Sequence, residues 1–311
     1  MLGAIVGDIV GSIYEWRNIK TKDFPLFRDN CRFTDDTVMT CAVAEGVMNG
    51  GTGDDFIDAM KKYGRMYPNA GYGGRFIDWI FSESREPYNS FGNGSAMRVS
   101  PCAWKMDCGF CARTGIWPVN GRNTAERSAA VTHNHPEGIK GALAVTDAIF
   151  MCRFYFGGWA GDYERPIDDD PDEIKRRIRK QIEMVHGYDL SFTLDEIRPT
   201  YRFDVTCQGS VPQAIVAFLE STDFEDAIRN AISIGGDSDT IGAITGSIAE
   251  AAYGVPDWIR EKALTYLDEP LKDVLRRWDE TVMKEALKTP KKCFRRRVTQ
   301  AVSPTQRTPC A

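Results

Sequence analysis

Hydrophobic residues recur along this chain mainly at the three- and four-residue spacing of helices. Apolar residues between positions 36 and 48 fall at this spacing, and Asn49-Gly50-Gly51 supplies a C-terminal cap. Residues 138–156 and 239–253 carry small and large apolar side chains on most sides, which is typical of helices buried inside a helical domain. Few segments alternate apolar and polar residues as strands do. The pattern predicts an all-α fold.

Glycine occupies every fourth position, 3, 7 and 11, of a first predicted helix over residues 3–16. Residues four apart share a helix face, so this helix presents a bare stripe that a second helix could approach closely. Gly242 and Gly246 repeat the spacing in the 239–253 segment. Glycine disfavours helix intrinsically, so packing between helices must stabilise these segments.

Composition predicts one globular domain followed by a short tail. The 311 residues are 42% hydrophobic and 27% charged, close to the averages of globular proteins. No linker interrupts residues 1–289, which we interpret as a single domain. Beyond Glu285 there is no acidic residue, and basic residues lie among Pro, Ser and Thr. Residues 290–311 therefore read as a basic, mobile tail.

The net charge and the N-terminal segment argue against nucleic-acid and membrane partners. A formal net charge of −5 gives no support to a nucleic-acid partner. The apolar run at residues 1–10 contains Asp8 and has no basic leader, so it is neither a typical signal peptide nor a membrane anchor. We expect a cytoplasmic monomer that acts on a protein or small molecule, with no membrane partner.

The cysteines predict reduced thiols rather than a disulfide framework. Their number, nine, is odd, and they are scattered from Cys31 to Cys310. Cys108 and Cys111 form one local pair, which redox chemistry or half of a zinc site would also explain. No second Cys or His pair has zinc-ligand spacing from it, so two ordinary thiols in a loop is our interpretation.

Two short segments rich in oxygen ligands each precede a helix of the buried type. They are Thr-Asp-Asp-Thr at residues 34–37 and Gly-Gly-Asp-Ser-Asp-Thr at residues 235–240. Helix capping explains one Asp or Thr in each segment, but each has two Asp. Four carboxylates converging in a core would repel unless a cation held them, and Mg²⁺ or Mn²⁺ prefers such oxygens. Capping and metal binding both remain open, and the absence of a nearby His argues against zinc.

Glu15 follows Asp8 by seven residues, which puts both on one face of the first predicted helix. A carboxylate at this position could act as a general acid or base beside a pair of cations, as glycoside cleavage requires. The alternative is a helix-end charge paired with a neighbour such as Arg17. Spacing alone does not separate the two interpretations.

Two further segments are candidate ligand-binding loops. Residues 90–98, Ser-Phe-Gly-Asn-Gly-Ser-Ala-Met-Arg, have glycines that let backbone N–H groups approach a bulky anion, and Phe91 could stack on a base. Residues 132–136, Thr-His-Asn-His-Pro, hold two of the three histidines at positions that do not share a helix face. A plain loop and a purely structural histidine are the respective alternatives.

Taken together and in this order, five motifs resemble the ADP-ribosylglycohydrolase family, over roughly residues 1–257. The residues that carry the resemblance are Gly-Asp-Ile-Val-Gly-Ser-Ile-Tyr-Glu at 7–15, Phe-Thr-Asp-Asp-Thr-Val-Met at 33–39, Gly-Asn-Gly-Ser-Ala-Met-Arg at 92–98, Thr-His-Asn-His-Pro at 132–136 and Gly-Gly-Asp-Ser-Asp-Thr at 235–240. Ser95 stands where some relatives have a further glycine.

The resemblance implies an all-α domain with a cleft that holds two Mg²⁺ or Mn²⁺ ions. It implies that the metal ligands are Thr34, Asp35, Asp36, Asp237, Asp239 and Thr240. Glu15 then corresponds to the catalytic glutamate of the family. The substrate-binding residues, which hold the phosphates and adenosine, would be Ser90, Phe91, Gly92, Asn93, Gly94, Ser95 and His133.

The implied activity is removal of ADP-ribose from a modified acceptor, a protein or a small ADP-ribose conjugate. ADP-ribosyl-arginine on protein is the leading expectation, and serine- or O-linked ADP-ribose, poly-ADP-ribose and O-acetyl-ADP-ribose are the alternatives. Two rival classes are a non-catalytic ADP-ribose-binding or immunity protein of the same fold and a Mg²⁺-dependent phosphohydrolase. Glu15 and the six oxygen ligands together favour catalysis.

Overall fold

Helices make up the regular secondary structure of the computed structural model, which describes residues 1–105, 119–156 and 170–283. The described residues form no sheet, and Gly92 and Thr206 make an isolated antiparallel bridge. The all-α prediction is confirmed. The helices are α1 (Leu2–Gly11), α2 (Asp35–Asn49), α3 (Gly53–Met66), α4 (Gly74–Phe81), α5 (Gly94–Met97), α6 (Ser100–Trp104), α7 (Val119–Ala130), α8 (Pro136–Phe156), α9 (Pro171–His186), α10 (Leu194–Ile197), α11 (Cys207–Leu219), α12 (Phe224–Ser233), α13 (Ser238–Tyr253), α14 (Asp257–Leu264) and α15 (Glu269–Trp278), and a π-helical turn, Asp279–Met283, follows.

The glycine stripe of α1 packs directly on α13. A Cβ atom placed on Gly7 would lie 1.9 Å from the Gly242 carbonyl oxygen, and one on Gly3 would lie 2.1 Å from that of Gly246. No side chain separates the two backbones along this contact, as the spacing of the glycines predicts. The close approach brings the C-terminal half of α1 against the first turn of α13, where Asp239 lies.

The first helix is shorter than the glycine and apolar pattern predicts. It ends at Gly11, five residues before Trp16. The Ser12 hydroxyl donates to the Ile9 carbonyl, and the Asn18 side chain donates to the carbonyls of Tyr14 and Glu15, so side chains satisfy groups that a continuing helix would use. Glu15 therefore lies in a turn, and the prediction that it shares a helical face with Asp8 is wrong.

The other helices named from the hydrophobic pattern agree with the structure to within a few residues. Helix α2 covers the predicted 36–48 segment and ends at Gly50, whose φ of 142° only glycine adopts readily. Most residues of α8 and nearly all of α13 are buried, and the two helices pack on each other. Within the described residues, no helix is both long and apolar enough to span a bilayer.

Two sequence-based interpretations fall outside the described residues. They are the pair of ordinary thiols, Cys108 and Cys111, and the basic tail at 290–311. Both stay predictions. The five cysteines that the structure describes as free thiols are all buried: Cys31, Cys41, Cys102, Cys152 and Cys207.

Candidate active site

Five carboxylates from α1, the turn after it, the start of α2 and the start of α13 converge. Carboxylate oxygens of Asp8, Asp36 and Asp239 lie within 4.8 Å of one another, and so do those of Glu15, Asp237 and Asp239. Asp239 belongs to both groups. The two acidic segments, some 200 residues apart, therefore meet in one cluster, as the metal-binding interpretation requires.

Asp8 holds the segment that precedes α2, although the sequence motifs did not single it out as a site residue. Its Oδ2 accepts the backbone N–H groups of Thr34 and Thr37 at 2.9 and 3.0 Å and the Thr37 hydroxyl, and its Oδ1 accepts the Thr34 hydroxyl at 2.7 Å. With four donors bound, Asp8 anchors this loop. Its signal in the sequence was a charged residue inside an otherwise apolar, glycine-striped helix, which demands buried partners.

Capping does not account for the aspartates of the cluster. At α2 the N-cap is Thr34, whose hydroxyl accepts the Asp36 N–H, so neither Asp35 nor Asp36 is needed as a cap. At α13 the N-cap is Asp237, but its side chain makes no capping bond. In addition, Asp36 Oδ1 is buried and has no hydrogen-bond partner among the described residues.

Burial and mutual repulsion disfavour the charged forms of these aspartates. Burial first, then the charge of Asp239, raises the pKa of Asp8 to about 7. Burial and the charge of Glu15 raise the pKa of Asp239 to about 6, and burial and Asp239 raise the pKa of Asp36 well above its usual value. A hard divalent cation would offset this repulsion. The donor set and the unpartnered Asp36 oxygen thus fit a divalent cation.

The remaining predicted ligands lie around the same cluster. The Thr240 hydroxyl donates to Asp36 Oδ2 at 3.2 Å, which links the two acidic segments directly. Asp35 is partly exposed and is outside both oxygen groups, although burial and then the charges of Asp239 and Asp8 raise its pKa. All six predicted ligands therefore border the cluster, with Asp35 at its edge.

Glu15 lies where the cluster meets the surface. It is partly exposed, and burial raises its pKa, while a hydrogen bond from the Trp16 side chain and the charge of Arg32 oppose that shift. Trp16 is 75% exposed and stacks on Phe203, which is 42% exposed, with ring centroids 5.1 Å apart and an interplanar angle of 27°. An exposed aromatic pair thus stands directly beside Glu15.

The glycine-rich loop runs from the cluster to the surface, and several of its polar groups are bound internally. Asn93 is buried, and its side chain donates to Asp237 Oδ2 at 2.6 Å and to the Ser210 hydroxyl at 2.9 Å. Its backbone N–H donates to the Val205 carbonyl. The N–H of Gly92 donates to the Ser90 hydroxyl. The Ser95 hydroxyl donates to the Gly138 carbonyl at 2.7 Å.

An aromatic and a histidine side chain border this loop. Phe91 is 46% exposed and makes an edge contact with His135, with ring centroids 5.4 Å apart. His133 is 5% exposed, and its Nε2 lies 3.3 Å from a Cβ placed on Gly94. Burial, followed by the charges of Arg98 and Arg75, lowers the pKa of His133 well below its usual value. Of the two histidines in this motif, His133 is the one that faces the loop from inside the protein.

Known proteins resemble the chain over most of its length. It is 24% identical to the ADP-ribosylhydrolase ARH3 of Gallus gallus over 83% of this chain and 86% of that protein, and 25% identical to that of Homo sapiens over 82% and 84%. The ADP-ribosyl-[dinitrogen reductase] glycohydrolase of Rhodospirillum rubrum is 27% identical over 60% of this chain and 54% of that protein.

A solved structure and a family model extend the comparison. The structure, described as an ADP-ribosylglycohydrolase-related protein complex, superposes with a TM-score of 0.59 at 22% identity, over 89% of this chain and 95% of that one. This likeness agrees with the all-helical fold. A family model described as ADP-ribosylglycohydrolase matches residues 1–293. The chain therefore belongs to the ADP-ribosylglycohydrolase family and is a hydrolase of glycosidic bonds.

Proposed function

We propose that this protein uses two divalent cations, Mg²⁺ or Mn²⁺, to release ADP-ribose from ADP-ribosylated arginine side chains of proteins. The observation that carries the proposal is the pair of carboxylate groups that share Asp239, with Glu15 at the surface side of one of them. Two overlapping groups of carboxylate oxygens could hold two neighbouring hard cations. Four clustered aspartates have no comparable purpose in a protein that only binds a partner.

The cation-holding residues would be drawn from both acidic segments. The residues that would hold them at the centre of the cluster are Thr34, Asp36, Asp237, Asp239 and Thr240. Asp35 would complete the set from the edge of the cluster. When bound, the cations would supply positive charge that orients the ribose hydroxyls and stabilises negative charge during cleavage. Asp8 would act earlier, because its four hydrogen bonds keep Thr34 and Thr37 in position before any cation arrives.

Glu15 would be the proton-transfer group. Its raised pKa lets it hold a proton nearer neutral pH than an exposed glutamate does, and transfer to or from a positioned carboxyl accelerates glycosidic cleavage. The Trp16 hydrogen bond would restrain the Glu15 carboxylate. Glu15 would either accept a proton from the attacking water or donate a proton to the leaving nitrogen of the acceptor.

The aromatic pair beside Glu15 supports arginine as the acceptor. A guanidinium is planar and cationic, and it stacks on aromatic faces with an attraction of about 0.5–1 kcal/mol at exposed sites. Trp16 and Phe203 offer such faces next to the group assigned to proton transfer. A serine side chain has no planar group that would use them.

An O-linked acceptor is the second candidate, and one observation favours it. The Arg32 charge acts on Glu15, so a second guanidinium at the same place would meet like charge. A serine or acetyl ester oxygen carries no positive charge and avoids this repulsion. Stacking on the aromatic pair and repulsion from Arg32 therefore predict different acceptors, which an experiment can separate.

The experiment incubates the purified chain with arginine-ADP-ribosylated protein, serine-ADP-ribosylated protein or O-acetyl-ADP-ribose. Each reaction is run with Mg²⁺, with Mn²⁺ and with EDTA, and released ADP-ribose is measured by mass spectrometry. We expect cation-dependent release from the arginine substrate. Release from only the serine or ester substrate would transfer the assignment to the second candidate.

Two variants control for the site. Asp239→Asn should abolish release and weaken cation binding, because it removes the carboxylate common to both groups. Asp189→Asn removes an exposed aspartate outside the cluster and should leave both unchanged. No release from any substrate by the wild-type chain, with ADP-ribose still bound, would refute catalysis and indicate a binding protein.

A further inference from the structure

Arg98 is a buried arginine that takes part in none of the ion pairs of the described residues. It is 1% exposed, and its Nη2 donates to the Thr132 hydroxyl at 2.8 Å and the Ser128 carbonyl at 3.4 Å. Its Nε is buried without a hydrogen-bond partner there. Burial lowers its pKa to about 10, so the guanidinium is still charged at neutral pH. The guanidinium lies over the Phe76 ring, 5.3 Å from its centroid, but no carboxylate among the described residues pairs with it, so burial of this charge is costly and calls for a reason.

The hydrogen bonds of Arg98 determine where the protons of its neighbours lie. Arginine only donates, so the Thr132 oxygen accepts from Arg98 and keeps its own hydrogen free. That oxygen lies 2.8 Å from His133 Nδ1. Among the described residues, Nδ1 is the one acceptor within hydrogen-bond distance of the buried Thr132 hydroxyl. The hydroxyl hydrogen is therefore satisfied by donation to Nδ1, and an Nδ1 that accepts carries no proton. In a neutral imidazole the single ring proton is then on Nε2.

The surroundings of His133 keep its ring neutral. The side chain is 5% exposed, and its burial and the charges of Arg98 and Arg75 all oppose a positive charge on the ring. Thr132, between Arg98 and His133, is fully buried. Arg98 thus has two effects on His133: its hydrogen bond to Thr132 selects the tautomer, and its charge disfavours protonation.

The Nε2 atom of His133 points at the glycine-rich loop. A Cβ placed on Gly94 would lie 3.3 Å from Nε2, and one on Gly92 would lie 3.6 Å from it. Nε2 makes no hydrogen bond to any described residue. Because both glycines lack a side chain, the Nε2–H group faces the loop backbone as a donor without a partner among the described residues.

We propose that Arg98 and Thr132 are positioning residues, which fix His133 as the neutral Nε2–H tautomer so that it donates to an anionic oxygen of the ligand. The identity of that oxygen, the diphosphate of ADP-ribose, rests on the proposed function. The opposite tautomer would turn a nitrogen lone pair towards the diphosphate and repel it. The buried arginine is thereby explained, because no neutral residue would both donate to Thr132 and disfavour the protonated ring.

The tautomer is measured on the free protein by ¹⁵N–¹H multiple-bond correlation NMR. The chain has three histidines, His133, His135 and His186, and a His133→Gln variant assigns the signals. We expect the wild-type ring of His133 to carry its proton on Nε2. Thr132→Val, which keeps the shape and loses the hydroxyl, should remove this preference, and Thr132→Ser should restore it.

Ligand binding tests whether the Nε2–H group of His133 donates to the diphosphate. Titration calorimetry compares ADP-ribose with adenosine, which has no phosphate. Thr132→Val should weaken ADP-ribose binding about tenfold, the typical worth of one hydrogen bond to a charged group, and should leave adenosine binding unchanged. Thr132→Ser should bind ADP-ribose as the wild type does.

Different results test the roles of Arg98 and Thr132 and the identity of the ligand that His133 binds. An Nδ1–H tautomer in the wild-type protein, which needs no variant, would overturn the roles of Arg98 and Thr132. So would equal loss of ADP-ribose and adenosine binding in Thr132→Val, because that pattern indicates general damage to the site. Absence of ADP-ribose binding by the wild type would instead overturn the proposed function and the ligand assigned to His133.

Discussion

The contact of α1 with α13 leaves no room for a side chain at Gly7, so Gly7→Ala is a sharp perturbation. The new Cβ would lie 1.9 Å from the Gly242 carbonyl oxygen, and a backbone atom cannot rotate away. Heavy atoms in contact lie about 3.5 Å apart, so the helices must separate by about 1.5 Å. Overpacking of a core costs about 1–3 kcal/mol, and this backbone contact belongs at the upper end. We expect the melting temperature to fall by about 3–5 °C.

Separation of these helices would also change the site. Asp8 follows Gly7, and its carboxylate belongs to the same oxygen group as that of Asp239 on α13. Asp8 also anchors Thr34, a predicted ligand, so a displacement of about 1.5 Å would move Thr34 relative to Asp239. Bonds from Mg²⁺ to oxygen are about 2.0–2.1 Å long and tolerate little variation, so this movement would spoil the geometry. We expect calorimetry to show Mg²⁺ binding at least tenfold weaker in Gly7→Ala.

A matched variant isolates the cause. Gly74 lies in the first turn of α4, and a methyl group added to it would meet open space, with no atom within 4 Å. Gly74→Ala should therefore keep or slightly raise the melting temperature, since alanine favours helix, and should leave Mg²⁺ binding unchanged. If Gly7→Ala melts and binds Mg²⁺ like the wild type, the glycine contact does not set the spacing of the carboxylates.

Further outcomes follow from the charges of the site and from the tail. Glu15→Gln should retain ADP-ribose affinity by calorimetry and lower single-turnover release about 10²–10⁴-fold; unchanged turnover would remove Glu15 from the reaction. In EDTA, the folded protein binds more protons than the unfolded chain, because the pKa of Asp8 rises from 3.8 to about 7 and that of Asp239 to about 6. The free energy of unfolding should therefore fall by a few kcal/mol as pH rises from 4 to 7, measured by urea titration, and Mn²⁺ should reverse the loss at pH 8. Stability that instead rises with pH in EDTA would contradict the assigned pKa shifts. Deletion of residues 290–311 should leave melting and release unchanged; a large loss of either would make the tail part of the fold.

Local periodicity was enough to predict α2, α8 and α13. The apolar spacing lies within each segment, and the Gly50 cap directly follows α2, so no distant contact is needed to recognise these helices. The end of α1 was different. Hydrogen bonds from Ser12 and Asn18 end that helix, and Asn18 is itself held by Gly236 from a remote segment. A window of sequence around residues 3–16 contains no sign of that partner.

The site residues also divide into those with a local sequence pattern, which the sequence indicated, and those defined by contacts between remote segments, which it did not. The two acidic segments have a local signature, and their convergence agrees with the metal-binding interpretation. Glu15 is not helical, contrary to the prediction, although its carboxylate lies near Asp239. The contacts of Asp8 with Thr34 and of Trp16 with Phe203 join segments distant in sequence. Only the packed chain brings these partners together.

The glycine contact between α1 and α13 also constrains how the protein is made. Helix α1 is synthesised first, yet its partner begins at Ser238, so residues 12–237 separate the two elements. At about 5–20 residues per second, a ribosome needs roughly 10–50 s to cover that distance. Throughout this interval the apolar helix and Asp8 lack their native neighbour. The acidic cluster is therefore assembled late, after nearly the whole domain has emerged, and nascent chains that stop before α13 would lack Asp239, the residue common to both carboxylate groups.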